Sequence, residues 1–128
     1  MRFCKPWVMH MSSMDDAPTM ALLVRQDLEM SLGKTAAQCA HGAVEVVRLA
    51  RRTRLLERWR SGGSRKIVLG IEDATALQDI ASQVPKGCVA HTVADAGRTE
   101  VPAGSRTVLA ILGPRRSMDA LVSHLSTL

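Results

Sequence analysis

Four short apolar runs, Met20–Val24, Lys66–Ile71, Cys88–Val93 and Thr107–Leu112, constrain the fold of this chain more than any other feature. Each is strand-length and rich in Val, Ile and Leu, which suits strands buried in a sheet. The segments between the first three carry helical periodicity instead. Gly33 to Arg51 reads as a long helix, and residues 53–60 as a short one closed by Ser61-Gly62-Gly63-Ser64. Asp73 stands as an N-cap for a helix from Ala74 to Gln83, ended by Pro85 and Gly87. Turns at Asp95-Ala96-Gly97 and Pro102-Ala103-Gly104-Ser105 precede the fourth strand, and Gly113-Pro114 ends it before a last amphipathic helix from Met118 to Leu125. The order predicts a single α/β domain with one sheet and helices on its faces.

With 128 residues the chain fits one domain, large enough to bury about two thirds of its unfolded surface. Its 46% hydrophobic content is mostly Val, Leu, Ile and Ala, with one Phe, two Trp and no Tyr. That excludes the exposed aromatic platform on which many RNA-binding sheets stack bases. Residues 1–19 lack periodicity and are expected to be a flexible extension, with the folded domain at 20–128. Their apolar runs are too short for a secretory core or a membrane span, and Asp15 and Asp16 argue against a transit peptide. Cys4, Cys39 and Cys88 imply no disulfide framework, and no cysteine or histidine spacing matches a zinc site. A reducing, cytoplasmic location with no metal is the expectation.

The segment Gly33-Lys34-Thr35-Ala36-Ala37-Gln38-Cys39-Ala40-His41 is where chemistry enters. Gly33-Lys34-Thr35 mimics the end of a phosphate loop, but such a loop needs a second glycine at position 28, which is Leu28. At about 100° per residue, Lys34, Gln38, His41, Glu45, Arg48 and Arg52 form one polar stripe. Ala36, Ala40, Ala43, Val44, Val47 and Ala50 fall largely opposite and are predicted to lie on the sheet. A lysine in the first turn of a helix opposes the helix dipole, at a cost of roughly a few tenths of a kcal/mol, unless it serves something negative. That singles out Lys34. A second candidate cluster, Asp95-Ala96-Gly97-Arg98-Thr99-Glu100, lies at the end of a strand, where α/β folds place ligands, although Asp-Ala-Gly alone also makes an ordinary turn.

Net charge is +5, and the excess is local: between residues 48 and 66 seven arginines and Lys66 face only Glu57. Such a run favours a polyanionic partner, with an ordinary solvated helix face as the alternative. No serine-hydrolase elbow, zincin motif or dinucleotide fingerprint occurs.

Together these segments resemble the type II peptidyl-tRNA hydrolases, the archaeal and eukaryotic kind. The resemblance rests on Val24-Arg25-Gln26-Asp27-Leu28 with Met30, on Gly33 through His41, and on Trp59 before Gly62 and Lys66-Ile67-Val68-Leu69. It continues through Asp95-Ala96-Gly97-Arg98-Thr99 and Gly104-Ser105-Arg106-Thr107-Val108-Leu109-Ala110-Ile111 to Gly113-Pro114. It implies a mixed four-stranded sheet flanked by helices on both faces, a homodimer, and hydrolysis of the ester joining a peptide to the terminal ribose of tRNA, without a cofactor. The family's functional positions fall on Lys34, Gln38, Asp95, Thr99 and Thr107. Two residues depart from the pattern: Leu32, where many members carry lysine or a small polar residue, and Glu100, where glutamine is common; both are expected to make the mouth of the site less positive.

Ester hydrolysis needs an oriented water, stabilisation of the oxyanion and a proton for the leaving oxygen. On this reading Asp95 orients and can deprotonate water while Lys34 offsets oxyanion charge, or the two rest as an ion pair and exchange these roles during turnover; Gln38, Thr99 and Thr107 supply neutral hydrogen bonds. Arg48, Arg51, Arg52, Arg54, Arg58 and Lys66, with Arg98, are the candidates for tRNA backbone contact. The alternatives are a non-catalytic adaptor or RNA-binding module on the same fold, and a small nucleotide-binding domain.

Overall fold

A computed structural model describes residues 16–97 and 100–128. The expected extension falls largely outside them. The elements run β1 (Thr19–Arg25), α1 (Leu32–Leu49), α2 (Arg54–Ser61), β2 (Lys66–Ile71), α3 (Ala74–Ser82), β3 (Val89–Ala94), β4 (Arg106–Gly113) and α4 (Arg115–Val122). The four strands form one sheet in the order β2-β1-β4-β3. It is mixed: β1 pairs in parallel with β2, while β4 runs antiparallel to both β1 and β3.

Alternation along the strands divides the core in two. Met20, Leu22 and Val24 of β1 and Val108, Ala110 and Leu112 of β4 face α1 and α2, where Cys39, Val46, Ala50, Leu56 and Trp59 close over them. Ala21, Leu23, Leu109 and Ile111 face the other way, toward Leu77 and Ile80 of α3 and Met118, Leu121 and Val122 of α4. Helices therefore cover both faces, and central strands covered on both sides read as the continuous apolar runs that the sequence presents. Each large side chain buried this way contributes about 1.5–3 kcal/mol.

The buried arc of α1 differs from the expected one. It runs through Gln38, Cys39, Gly42 and Val46 to Ala50, whereas Ala36, Ala40 and Val44 are exposed and Ala43 and Val47 are half-buried. The pivot is Gly42: a Cβ there would lie 3.1 Å from Ala110 Cβ and 3.2 Å from Val93 Cγ2. The helix packs tightly on the sheet at the residue without a side chain, with Ala36 and Ala40 turned outward and Gln38 turned in.

Two boundaries also differ from the sequence pattern. Helix α1 ends at Leu49, so Arg51 and Arg52 lie in the turn that follows, with Arg52 in the left-handed region at φ 70°, off the polar stripe. The last helix begins at Arg115, immediately after Pro114, rather than at Met118. It stops early because the chain end returns to the sheet: Gly70 N–H donates to Ser126 O at 2.9 Å and Leu128 N–H to Val68 O at 3.1 Å. No helix among the described residues is long and apolar enough to cross a membrane.

Candidate active site

The carboxyl ends of β1 and β3, the start of β4 and the N-terminus of α1 meet at one end of the sheet. Each local device there has a sequence cause. Ser31 caps α1, its Oγ accepting the Lys34 N–H at 3.1 Å, and so fixes the turn from which Lys34 projects. The β3–β4 register shifts between Val93 and Ala94, an irregularity of the kind that re-aims the next side chains beside a site. Directly after it comes Asp95, whose backbone joins both limbs of the following loop: its N–H donates to Ser105 O and its carbonyl accepts from Gly104 N–H, each at 2.8 Å. Arg25 braces the neighbouring strand end by pairing with Asp27 at 2.7 Å and donating to Arg106 O at 3.0 Å.

Four of the five expected site residues are brought together here. The Lys34 ammonium pairs with Asp95 Oδ1 across 61 residues of sequence, their side chains 14% and 3% exposed. Gln38 Nε2 donates to Thr107 Oγ1 at 2.8 Å and lies 3.5 Å from Asp95 Oδ1. Thr107, fully buried, donates its own hydroxyl proton to Val93 O at 3.4 Å, which obliges it to accept from Gln38. Asp95 Oδ2 accepts the Gly97 N–H at 2.5 Å. The fifth residue, Thr99, and the tRNA candidate Arg98 lie outside the described residues.

Asp95 is thus a carboxylate gripped by donors. The hydrogen bond from Lys34 is the largest cause holding its carboxyl below the usual carboxylate range; the Gly97 N–H and the lysine's charge add to it, and burial works in the opposite direction. A buried charge so compensated stays ionised and oriented. His41, on the same stripe, is exposed. Burial pushes the Cys39 and Cys88 thiols up, away from a reactive thiolate.

Glu100 does not simply dilute the positive mouth as expected, because its carboxylate is committed to the Ser31 N–H at 2.8 Å. Ser31, absent from the expected site, does carry a signal in the sequence: a serine three residues before Lys34 is the N-cap spacing. Among the described residues no group of three or more His, Cys, Asp or Glu gathers that could hold a metal ion.

The basic run lies elsewhere. Helix α1 runs on from Lys34 to Leu49 and so carries the chain about 22 Å away from the lysine. Arg51, Arg52, Arg54 and Arg58 are exposed at or beyond that far end and make no ion pair among the described residues. Arg48 pairs with Glu45 at 2.9 Å. Lys66 is partly engaged, donating to Ser64 O at 2.7 Å and standing 5.1 Å from the centre of the Trp59 ring.

Comparison with known proteins sets this arrangement in a lineage. The sequence profile of the peptidyl-tRNA hydrolase PTH2 family matches residues 18–128. The chain belongs to that family. Among its relatives, the probable peptidyl-tRNA hydrolase 2 of Drosophila melanogaster is 39% identical over 120 residues, covering 90% of this chain and 64% of that protein. The mitochondrial peptidyl-tRNA hydrolase 2 of Bos taurus is 39% identical over 110 residues, covering 83% and 62%. The peptidyl-tRNA hydrolase of Aeropyrum pernix is 39% identical over 113 residues, covering 82% and 91%. The chain thus spans just under two thirds of its animal PTH2 relatives and most of the archaeal one.

Proposed function

We propose that this chain hydrolyses the ester between a peptide, or an N-blocked aminoacyl group, and the 3′-terminal ribose of tRNA. The observation that carries this reading is the pairing of Lys34 with Asp95, backed by Gln38 and Thr107, at the strand ends of a PTH2-family domain. Asp95 orients the attacking water. Its depressed pKa makes it a weak proton acceptor in the resting state, so it orients the water first; the proton that the water sheds on attack passes to the departing ribose oxygen, which leaves as the hydroxyl. Lys34 is fixed beside it as a cation able to stabilise the developing oxyanion, the contribution that usually dominates such reactions. Gln38, anchored by its hydrogen bond to the buried Thr107, holds Asp95 by a neutral contact, and Thr99 completes the set. Neither a covalent nucleophile nor a cofactor enters this scheme.

Arg51, Arg52, Arg54 and Arg58, with Arg48 and Lys66, form a surface that meets the tRNA backbone and supplies salt-dependent affinity, and Arg98, outside the described residues, is assigned to the same partner. Homodimer formation and action in the cytoplasm belong to the same reading; the free Cys39 and Cys88 suit a reducing compartment. The deciding experiment measures free tRNA released from N-blocked aminoacyl-tRNA, with unblocked aminoacyl-tRNA as control. Selective release of the blocked substrate is expected. Binding of tRNA without release would favour the adaptor or RNA-binding alternative.

A further inference from the structure

The loop between β3 and β4 is tied down at its base and at its far side. At the base, Asp95 bonds Ser105 and Gly104 through its backbone. Gly97 has φ +77°, and a Cβ there would collide with Ala103, so the two limbs press together where only glycine fits. Val101 is buried, and beside it Glu100 Oε2 accepts the N–H of Ser31 at 2.8 Å. Ser31 in turn accepts the Lys34 N–H, and the Lys34 ammonium returns to Asp95. These contacts close a ring: Asp95, the loop, Glu100, Ser31, Lys34, and Asp95 again.

We propose that Glu100 is a positioning residue for the hydrolytic pair, its carboxylate clamping the loop that carries Asp95 to the helix turn that carries Lys34. The proposal rests on the reading of Lys34 and Asp95 as that pair. A helix N-terminus presents unsatisfied N–H groups and a partial positive charge, which an acid in the first turn normally answers. Helix α1 has no acid in its first turn, and the carboxylate arrives instead from 69 residues away. The hydrogen bond from Ser31 holds the Glu100 carboxyl below its usual range, with the charge of Lys34 adding to the effect, so it is ionised at neutral pH. The contact is solvent-exposed and adds little to global stability. Its leverage is geometric, since displacing a reacting group by about 1 Å can cost roughly 100-fold in rate.

The opposite possibility is that Glu100 occupies a seat meant for an anion of the substrate, and kinetics separate the two. In the full chain, with N-blocked aminoacyl-tRNA as substrate, Glu100→Ala is expected to lower kcat roughly tenfold while KM changes less than about twofold. Glu100→Gln keeps an oxygen that can accept from Ser31 and is expected to recover most of the lost turnover. A Glu100→Ala enzyme with wild-type kcat, or with lower KM and undiminished kcat, overturns the proposal, as does Glu100→Gln no better than Glu100→Ala. Should Glu100→Ala fail to fold, Glu100→Asp decides: its shorter carboxylate cannot reach Ser31 without dragging the loop, so normal turnover would overturn the proposal and reduced turnover would uphold it. Lys34→Ala and Asp95→Ala, assayed alongside, separate the two readings. If they retain full rate, the site assignment fails; if they lose it while Glu100→Ala does not, only the positioning role fails.

Discussion

The two ends of α1 carry charge in opposite ways. At its N-terminus one lysine is matched to one aspartate, the pair almost wholly withdrawn from water and held by hydrogen bonds from Gln38 and Gly97. Beyond its C-terminus Arg51, Arg52, Arg54 and Arg58 stand in solvent without an ion-pair partner among the described residues. Charges held in a fixed geometry can stabilise a transition state, whereas exposed arginines on long, mobile stems attract phosphates without defining a reacting geometry. One short chain thus keeps a fixed, buried charge pair and an exposed basic surface most of a helix length apart.

If that division is right, the largest effects belong to the buried pair. Lys34→Ala and Asp95→Ala should each lower single-turnover hydrolysis of N-blocked aminoacyl-tRNA by about 100-fold to 1000-fold. The double variant should be scarcely worse than either single one, because the two groups act as a unit. Normal rates in both single variants would remove the chemistry from this end of the helix altogether.

Support around the pair should register next, and as stability. Thr107→Val preserves shape in a fully buried position but deprives the Gln38 amide of its acceptor. An orphaned buried donor costs about 1–3 kcal/mol, measurable as a lower midpoint of urea unfolding. A midpoint equal to wild type would mean that Gln38 finds another partner and that the site is looser than its contacts imply.

The far end should respond differently in kind. Charge reversal at Arg51 and Arg54 should raise KM roughly tenfold at moderate salt and leave kcat alone. The dependence of log KM on log salt should become shallower by about 0.7–0.9 for each tRNA phosphate that is no longer neutralised. A KM unchanged at physiological salt would strip this surface of its role.

The same contrast governs how much could be read in advance. The strands were legible because runs such as Val108-Leu109-Ala110-Ile111-Leu112 have few alternatives to burial on both faces. Lys34 was legible because a cation in a helix's first turn is locally unfavourable and demands a partner. The buried arc of α1 was not, since alanine suits either a sheet contact or solvent, and Gly42 decides only through Ala110 and Val93, which are distant in sequence. The start of α4 was hidden because Arg115-Arg116-Ser117 reads as a polar loop, while the early stop follows from a return of the chain end to β2. Glu100 seemed a diluting charge because its partner, the N–H of Ser31, is a backbone group that carries no mark in the sequence.

The smallest effect separates the ends by pH. The folded-state pKa of Asp95 is depressed, so its ionisation stabilises the folded chain at any pH above the ordinary carboxylate range, and that contribution drains away as pH falls through the lowered value. Wild type should therefore lose more stability than Asp95→Asn on acidification below about pH 4. Asp27 and Glu100, also depressed, contribute to both proteins and cancel in the difference. The acid limb of kcat/KM should likewise lie below the ordinary carboxylate range, since Asp95 is already ionised above it. Arginines do not titrate in this interval, so Arg51→Gln with Arg54→Gln should shift KM and leave that limb where it was. If the limb moved with the arginine changes, the two ends of the helix would be electrostatically coupled, and the division of labour between them would not hold.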